Sequence, residues 1–380
     1  MIRKSTYAAA KSVAATIESH FAQHQHEARE SGALNVAPAP SMKVVEALID
    51  AAFWASLRKE EGQSPRISLA FLPPEQAGKP LLFAQRLPLT SHNLTKLAPG
   101  VERPGIHIGV WKEHGELYMW GTTRELLSFC FVLDVSEPGL LVVKHRRSTG
   151  FGKFANVAVL KGDVIKIIDE DSDSLPDCPA VVSSLLGFTA PASWNNSVNV
   201  LVQLAVSMRA HGRGGTLLVV PTGSEKWHES IIHPLPYAVA PAFSALKELM
   251  QEEKENRDQS LWQGALRREI DGLAGLTAVD GATIINDQHE LLAFGAKIIR
   301  SDSNELAEQI VLTEPVVGNE PIILHPTQNG GTRHLSAAQF VHDQRDAIAL
   351  VASQDGRFTI FSWSPCENMV HAHRVDTLLL

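Results

Sequence analysis

The chain has 380 residues, of which 44% are hydrophobic and 20% charged, and these values are typical of a globular protein. Its formal net charge of −8 argues against a broad nucleic-acid-binding surface but allows a small anion held by local arginines. No run reaches the ~18 apolar residues of a membrane span, and the three cysteines lack paired or metal-ligand spacing. We therefore expect a cytoplasmic protein without membrane contact, large enough for two domains.

The first part of the chain passes from helices to short strands. Residues 5–30 predict a polar, solvated helix, and residues 30–41 predict a linker that contains Gly, Pro and Ser. Apolar side chains at helical spacing predict an amphipathic helix over residues 45–57. From 67 to 168, apolar runs separated by Gly, Pro and charged residues predict strands. The acidic stretch 169–174 lacks the glycine and distal glutamate of a calcium loop, so we interpret it as a solvated connection.

The second part is predicted to alternate helices, at 197–210, 243–254, 261–277 and 337–344, with strands, at 216–220, 282–285, 291–294, 347–352 and 358–363. Residues 227–241 are Pro-rich and indicate a domain boundary, and a long loop is expected to end near residue 327. We therefore predict an α/β (mixed α+β) protein. Residues 1–240 form one domain, of which 1–41 are helix and linker. Residues 241–380 form a second domain, in which helices flank a mixed central sheet.

A single carboxylate stands where a helix is predicted to give way to a strand in the second domain. Residues 276–285 read LTAVDGATII, so Asp280 is followed by Gly281 and Ala282. A carboxylate oxygen at Asp280 suits Mg²⁺ or Mn²⁺, and such a cation can bridge phosphate oxygens and polarise an attacking hydroxyl. Gly281, which has no side chain, would allow backbone and nucleotide to approach closely.

A glycine-led turn follows further along the chain, where residues 330–338 read GGTRHLSAA. The amides beside Gly331 and the hydroxyl of Thr332 can donate to phosphate. Arg333 supplies a planar fork for phosphate oxygens, and His334 supplies a second donor. A carboxylate for a metal together with such a turn for phosphates predicts a nucleotidyl-transfer site, where alignment and charge neutralisation are the main demands.

In the order helix, Asp-Gly-Ala, Gly-Thr-Arg-His and strand, residues 243–364 resemble the diadenylate cyclase domain family. The first motif matches completely, and the second matches up to its last residue. The resemblance implies an enzyme that condenses two ATP into cyclic di-AMP and two pyrophosphates, with Mg²⁺ or Mn²⁺ on Asp280. It implies Asp280, Arg333 and His334 as catalytic residues. The ATP-binding residues that it implies are Gly281, Ala282, Gly331, Thr332, Arg333, His334 and Ser336.

The two-fold symmetry of such a product implies two identical sites that face one another across a two-fold axis. Members of the family work in this way, with one ATP on each subunit, so we expect a homodimer or a higher oligomer. The first domain resembles the sensor domains that precede soluble diadenylate cyclases, mainly through domain order and residues 227–237. This resemblance implies that an unknown regulatory ligand binds the N-terminal domain.

Two departures from the family motifs bear on activity. Leu335 stands where the family has a second arginine, and residues 352–355 read ASQD where the family has Ser-Glu-Glu, so the second acid is missing or shifted to Asp355. One lost charged contact costs ~1.5–3 kcal/mol of transition-state stabilisation, about one to two orders of magnitude in rate. Two alternatives therefore stay open: a weak or inactive nucleotide-binding regulator, and a nucleotidyltransferase that makes another nucleotide signal.

Three further motifs lie in the predicted first domain, residues 1–240. Residues 144–153 are basic and punctuated by glycine but lack the first glycine of a phosphate loop, and residues 209–215 precede a strand as anion-binding turns do. We interpret both as solvated loops. His20, His24 and His26 have helical spacing but no third ligand nearby that would complete a metal site.

A faint self-similarity links the two halves of the chain. Residues 116–121 parallel residues 290–295, and residues 145–148 parallel residues 333–336. We hypothesise that the N-terminal half contains a degenerate cyclase-like copy. It lacks the Asp-Gly-Ala acid, so it would bind a regulatory ligand without turnover.

Overall fold

The structure, a computed structural model, describes residues 5–30, 32, 35–147, 154–174, 177–186, 196–252, 260–301 and 304–380. The chain divides into two compact units, one spanning Met1–Ile168 with Leu380 and the other Asp169–Leu379. Each unit is built on a mixed sheet with helices, so the predicted mixed α/β class is confirmed. In the part of the chain that the structure describes, no helix has both the length and the apolar character needed to cross a membrane.

The N-terminal unit contains one sheet in the order β2-β4-β3-β1-β5-β6-β7-β8, in which β1 and β3 are parallel and the other described pairs antiparallel. Its helices are α1 (Ala8–Glu30), α2 (Met42–Ser56) and α3 (Ser91–Leu97). Its strands are β1 (Ile67–Phe71), β2 (Leu81–Pro88), β3 (His107–Glu113), β4 (Glu116–Thr123), β5 (Phe131–Glu137), β6 (Leu140–Arg146), β7 (Phe154–Lys161) and β8 (Val164–Ile167).

Helix α1 is not the solvated helix that the sequence predicts. It packs against α2, and Ile17 and Phe21 are fully buried. The Phe21 ring centre lies 5.3 Å from that of Phe131 on β5, so the helix covers the sheet. The prediction is wrong because the rest of the buried face consists largely of alanines such as Ala10 and Ala14, which give only a weak apolar signal.

The C-terminal unit contains a second sheet, in the order β10-β12-β11-β9-β15-β16-β17-β13-β14. Its helices are α4 (Ala180–Leu186), α5 (Asn196–Ala210), α6 (Ala245–Gln251), α7 (Ser260–Leu276), α8 (Pro326–Asn329) and α9 (Thr332–Asp343). Its strands are β9 (Gly215–Val220), β10 (Tyr237–Phe243), β11 (Ala282–Asn286), β12 (Leu291–Ala296), β13 (Ile310–Thr313), β14 (Ile322–Leu324), β15 (Ile348–Ala352), β16 (Phe358–Ser364) and β17 (Met369–Arg374).

The boundary between the units differs from the predicted one at residue 240. Strand β9 pairs with β11 on one side and β15 on the other, in the middle of the C-terminal sheet. The Pro-rich residues 227–241 lead into β10, an edge strand of the same sheet that pairs with β12. Proline fits an edge strand because it needs no hydrogen-bonded amide there. The composition therefore indicates an edge of the sheet rather than a domain boundary.

The predicted long loop before residue 327 contains two strands. β13 pairs in parallel with β17 and antiparallel with β14. Strand β17, which the sequence does not predict, buries His371 and His373 in alternation with Val370 and Ala372. Its polar residues are therefore core residues, and hydropathy gives no signal for the strand.

One face of the C-terminal sheet is covered by α9. Ala337, Phe340 and Val341 of this helix join a buried cluster with Leu218 of β9 and Phe361 of β16. The helix therefore lies across the central strands, and its amino-terminal end is fixed by the packing of the rest of the helix. Side chains at the amino-terminal end of α9 are therefore held in fixed positions.

Seven strands of the two sheets share one connectivity. The orders β2-β4-β3-β1-β5-β6-β7 and β10-β12-β11-β9-β15-β16-β17 correspond strand for strand, and the parallel pair β1–β3 corresponds to β9–β11. The parallel between residues 116–121 and 290–295 has a structural counterpart, because these residues lie on the corresponding strands β4 and β12. The two units therefore share one strand order over seven strands, and whether the shared architecture is that of a cyclase stays a prediction.

The second sequence parallel has no structural counterpart. Residues 145–146 lie on β6, whereas residues 333–336 lie on α9, and residues 148–153 are outside the described part of the chain. The N-terminal unit passes from β4 to β5 through residues 124–130 without a helix. It therefore has no equivalent of α9.

Candidate functional site

Asp280 lies in the turn that connects α7 with β11. Helix α7 ends at Leu276, and the Thr277 hydroxyl donates to the Ala274 carbonyl oxygen at 2.7 Å, which closes the helix end. The Asp280 side chain is 89% exposed, and Lys297 donates a hydrogen bond to its Oδ2 atom. This hydrogen bond, with the positive charge of Lys297, lowers the pKa of Asp280 below its ordinary value, and the more distant charge of Arg333 adds to the effect. Asp280 is therefore ionised at neutral pH.

Gly281 has a φ of 114°, a conformation that favours glycine. A Cβ atom added there would lie 2.5 Å from the carbonyl carbon of Gly295 at the end of β12. The sequence analysis expects Gly281 to make room for a nucleotide. The contact that excludes a side chain is instead with the neighbouring strand.

The Gly-Thr-Arg-His segment is not the flexible turn that the sequence predicts, because residues 332–334 form the first turn of α9. Gly331 is the N-cap residue, and no side chain caps the helix. Nothing lies within 4 Å of a Cβ atom added at Gly331, so the space before the helix is open. Uncapped first-turn amides and the positive end of the helix dipole favour an anion at this position.

Asp280 and the start of α9 line the same cavity, which has a volume of about 180 Å³. Six of the residues that the sequence analysis assigns to the site take part. The lining residues are Thr216, Asp280, Gly281, Ala282, Ala296, Lys297, Ile298, Thr332, Arg333 and Ser336. Small-molecule sites usually measure ~300–1,000 Å³. This cavity therefore suits a phosphate group with a cation rather than a complete nucleotide.

Arg333 is held by the turn that precedes β9. A Cβ atom added at Gly214 would lie 3.0 Å from the Nη1 atom of Arg333 and 3.3 Å from the Cγ atom of Gln354. Gln354 donates to the carbonyl oxygen of Arg213 at 3.3 Å. The guanidinium group thus packs over Gly214, between two loops, and is oriented toward the cavity more firmly than a freely solvated side chain.

Asp355, the predicted replacement for the missing second acid, does not line the cavity. Its Oδ2 atom is 3.4 Å from the Nε atom of Arg357, and its Oδ1 atom accepts from the Arg357 amide at 3.2 Å. Asp355 therefore serves the turn between β15 and β16. The expectation that it acts as a second metal ligand is not supported by this placement.

His334 lies on the other side of α9, away from the cavity. Its side chain is buried, 6.0 Å from the Phe361 ring centre, and a Cβ atom added at Gly330 would lie 2.6 Å from its Nδ1 atom. Burial lowers the pKa of His334 to about 4. The Nε2 atom is buried and has no hydrogen-bond partner among the described residues. A neutral, enclosed imidazole does not fit the predicted role of a phosphate donor, and it packs the start of α9 against the sheet instead.

Sequence reasoning misses Lys297. No motif links it to Asp280, because the two residues meet only through the hairpin of β11 and β12. The pairing of Ala282 with Ala296 puts Lys297 opposite Gly281, beside Asp280. The signal in the sequence is the hairpin formed by the two predicted strands, whose antiparallel pairing puts Lys297 beside Asp280. Lys297 brings a second positive charge to the cavity, beside that of Arg333.

The two basic motifs from the sequence have structural partners where the structure describes them. Lys144 forms an ion pair with Asp134 at 2.9 Å. Arg209 donates to the Leu379 carbonyl oxygen at 3.1 Å and to that of Gly356 at 3.5 Å. Arg209 therefore ties α5 to the end of the C-terminal unit rather than lying in a solvated loop.

The N-terminal unit has a cavity of its own, with a volume of about 340 Å³. It lies between α2, the turn from β2 to α3, and the start of β4. Its lining residues are Ala47, Asp50, Ala51, Trp54, Pro88, Leu89, Thr90, Ser91, Glu116 and Leu117. The size falls within the range of small-molecule sites.

Comparison with known families finds a match to "Probable sensor domain DACNV" over residues 34–124, about a quarter of the chain. This family is the N-terminal sensor domain of DAC proteins, and no DAC catalytic domain is matched. The matched residues belong to the N-terminal unit and include all those that line its cavity. No curated protein matches the chain. The N-terminal unit is thus similar to a sensor domain, and the chemistry of the C-terminal unit rests on its geometry.

Proposed function

We propose that the C-terminal unit is a metal-dependent diadenylate cyclase, which condenses two ATP into cyclic di-AMP and releases two pyrophosphates. The observation that carries this proposal is the common cavity of Asp280, Arg333 and the uncapped start of α9. These groups come from two distant motifs and combine one ionised carboxylate with several donors for phosphate. Nucleotidyl transfer requires such a combination.

The residues at the cavity fit Mg²⁺ or Mn²⁺. Both cations prefer oxygen ligands, and Mg²⁺ commonly binds through one or two carboxylates together with substrate phosphates and water. Asp280 offers one exposed, ionised carboxylate. A cation bound there would neutralise phosphate charge and polarise the attacking 3′-hydroxyl. Lys297 would have to release Asp280 at the same time.

The protein's own groups would bind the phosphates. The first-turn amides of α9 and the hydroxyl of Thr332 donate to phosphate oxygens, and Arg333 adds a bidentate contact. Lys297, once released from Asp280, moves to a phosphate oxygen and offsets the charge that is missing at Leu335. His334 keeps α9 in position through its packing on Phe361 and Gly330.

Catalysis would require two copies of the chain. A cavity of about 180 Å³ accommodates the reacting phosphate but leaves the nucleoside outside. In the symmetric reaction, the 3′-hydroxyl of each ATP attacks the α-phosphate of the other, so each subunit presents one ATP across a two-fold axis. An isolated subunit would bind ATP without making product.

The N-terminal unit would regulate this reaction. Its similarity to a sensor domain supports the role, and its cavity of about 340 Å³ offers a place for a small regulatory ligand. The residues that enter β3, Pro104-Gly105-Ile106, include no carboxylate, and α9 has no equivalent in this unit. The unit would therefore bind its ligand without turnover.

The test is product formation by the full chain with ATP and Mn²⁺, followed by mass identification of the nucleotides. We expect cyclic di-AMP from the wild type and at least a hundredfold less from Asp280→Asn. Asp355→Asn, which removes a carboxylate outside the cavity, serves as the matched control and should keep its activity. Equal yields from wild type and Asp280→Asn would reject the catalytic proposal. ATP binding without product would favour a non-catalytic nucleotide-binding regulator. A product other than cyclic di-AMP would favour a nucleotidyltransferase that makes another nucleotide signal.

A further inference from the structure

The loop between α5 and β9 contacts both segments that contribute charged residues to the cavity. Gly214 of this loop packs against the Nη1 atom of Arg333. Nearer α5, the Nε2 atom of His211 is 3.2 Å from the hydroxyl oxygen of Thr277, in the turn that leads from α7 to Asp280. One short loop therefore joins the two motifs of the proposed nucleotide site.

The hydrogen bonds of His211 define its tautomer. The Arg213 amide donates to the Nδ1 atom of His211 at 3.1 Å, so this nitrogen carries no proton. The proton of the neutral ring is therefore on Nε2, which donates to the Thr277 hydroxyl oxygen. Burial lowers the pKa of His211, and the positive charge of Arg213 adds to the effect, so both favour this neutral form. A neutral His211 thus links the backbone of Arg213 to the end of α7.

The backbone of Arg213 is held on both sides. Its amide donates to His211, and its carbonyl oxygen accepts a hydrogen bond from the Nε2 atom of Gln354 at 3.3 Å. The neighbouring residues Gly212 and Gly214 have positive φ values, which permit the tight turns of the loop. The two hydrogen bonds therefore fix the position of a residue that its glycine neighbours would otherwise leave free to move.

The side chain of Arg213 is exposed, and it has no hydrogen bond or ion pair in the part of the chain that the structure describes. Because Gly214 packs against Arg333, the Cα atom of Arg213 lies within about 8 Å of the Arg333 guanidinium group. An extended arginine side chain covers most of this distance. Two guanidinium groups at this separation repel one another, and a phosphate chain that contacts both would remove the repulsion.

The cavity accommodates only one phosphate of a nucleoside triphosphate. Its volume of about 180 Å³ suits a phosphate group with a cation. The other two phosphates of ATP would therefore lie outside the cavity and would carry much of the triphosphate charge. Arg213 does not line the cavity, but it belongs to the loop that packs against Arg333 at its edge. Its charge is thus close to the position that the outer phosphates would take.

We propose that Arg213 binds the β- and γ-phosphates of a nucleotide whose α-phosphate occupies the cavity. This inference rests on the proposed function, because it takes the cavity to be the nucleotide site. The guanidinium group would neutralise charge on the pyrophosphate that leaves when the 3′-hydroxyl attacks the α-phosphate. Residues 209–215 would then form an anion-binding turn, rather than the solvated loop that the sequence predicts.

The experiment is calorimetric titration of the full chain with 3′-deoxy-ATP and 3′-deoxy-AMP in the presence of Mn²⁺. Both nucleotides lack the attacking hydroxyl, so binding is measured without turnover. Arg213→Gln should weaken 3′-deoxy-ATP binding at least tenfold and leave 3′-deoxy-AMP binding unchanged, since AMP has no β- or γ-phosphate. Arg333→Gln should weaken both, because Arg333 lines the cavity. Arg357→Gln is the matched control, because Arg357 pairs with Asp355 outside the cavity, and it should change neither affinity.

Unchanged 3′-deoxy-ATP affinity in Arg213→Gln, or an equal loss for the two nucleotides, overturns the inference. A wild type that binds 3′-deoxy-ATP no more tightly than 3′-deoxy-AMP also overturns it. Circular dichroism checks that the variants fold, as the exposure of Arg213 leads us to expect. Failure of the cyclase proposal gives a different result: the wild type then makes no cyclic di-AMP, while Arg213→Gln still binds 3′-deoxy-ATP more weakly.

Discussion

Lys297 donates a hydrogen bond to the carboxylate of Asp280, across the hairpin of β11 and β12. The ion pair lies in the same cavity as Arg333 and the start of α9. The ammonium group of Lys297 is thus bound to the carboxylate of Asp280, which in the proposed reaction would bind a metal ion. Under the proposed function, removal of Lys297 should therefore affect the binding of a metal and the binding of phosphate differently.

Replacement of Lys297 by methionine should affect the two ligands in opposite directions. The pKa of Asp280 should rise toward its ordinary value, because the hydrogen bond and charge of Lys297 are the first causes of its lowering. Mn²⁺ should bind more tightly without nucleotide, since no ammonium competes for the carboxylate. ATP affinity should fall about tenfold to a hundredfold, as expected for one charged contact. Calorimetry with each ligand measures both changes.

Lys247→Met is the matched control for that variant. Lys247 pairs with Glu290 at 3.0 Å in the same unit but does not line the cavity. Its replacement should leave both affinities unchanged. If Lys297→Met and Lys247→Met behave alike, Lys297 has no special part in binding.

Arg333→Lys should keep the positive charge but lose the planar fork that binds two phosphate oxygens. We expect product formation to fall about tenfold to a hundredfold, and further in Arg333→Ala. Steady-state kinetics with ATP measure the change. Arg357→Lys, outside the cavity and paired with Asp355, should retain activity. An active Arg333→Ala enzyme would remove this residue from the site.

Two glycines with similar backbones test how Arg333 is positioned. Gly214 and Gly212 have φ values of +72° and +67°, but only Gly214 lies against Arg333. Alanine at Gly212 should cost about 1 kcal/mol of unfolding free energy, because positive φ strains a side-chain-bearing residue. Alanine at Gly214 should cost more, because its Cβ atom would also lie 3.2 Å from the carbonyl oxygen of Ala352. Only Gly214→Ala should also weaken ATP binding. Equal ATP affinities in the two variants would show that Arg333 does not depend on this contact.

The stability of the C-terminal unit should fall between neutral pH and pH 5. Burial lowers the pKa of His334 from 6.5 to about 4, so the unfolded chain takes up the proton first as the pH falls. The contribution of His334 to the free energy of unfolding is fully present above pH 6.5 and is lost as the pH falls toward 4. At pH 5 the loss is about 2 kcal/mol. Urea unfolding at both pH values measures it.

His334→Asn should reduce this pH dependence by about 2 kcal/mol. Part of the dependence should remain, since burial also lowers the pKa of His373, to about 3. His325→Asn is the control, because His325 is exposed at the N-cap of α8, where asparagine also caps well. The same slope in wild type and His334→Asn would contradict the assignment.

The sequence predicts those parts of the fold that have a local signal. Helix α2 and most strands of the N-terminal sheet follow from periodicity and apolar runs. Edge strands β2 and β10 are largely exposed, and β17 carries buried histidines, so none of the three has the pattern of a core strand. The boundary between the units depends on the pairing of β9 with β11 and β15, which no local pattern encodes.

The residues of the candidate site also fall into two groups, those that a local motif predicts and those that only contacts between distant segments bring to the site. The sequence predicts Asp280 and Arg333 as site residues because each lies in a short motif. Lys297 comes close to Asp280 only through the pairing of β11 with β12. The motif predicts that His334 binds phosphate, but helical geometry turns its side chain toward Phe361 instead. Contacts between distant segments thus decide which residues of a motif reach the ligand.

The segment between β12 and β15 contains β13, β14, α8 and α9, whereas seven residues join the corresponding strands of the N-terminal unit. One architecture therefore occurs in the chain both with and without this insertion. The seven-strand sheet therefore forms with or without this segment, and the segment supplies the Thr332, Arg333 and Ser336 side chains that line the cavity with Asp280.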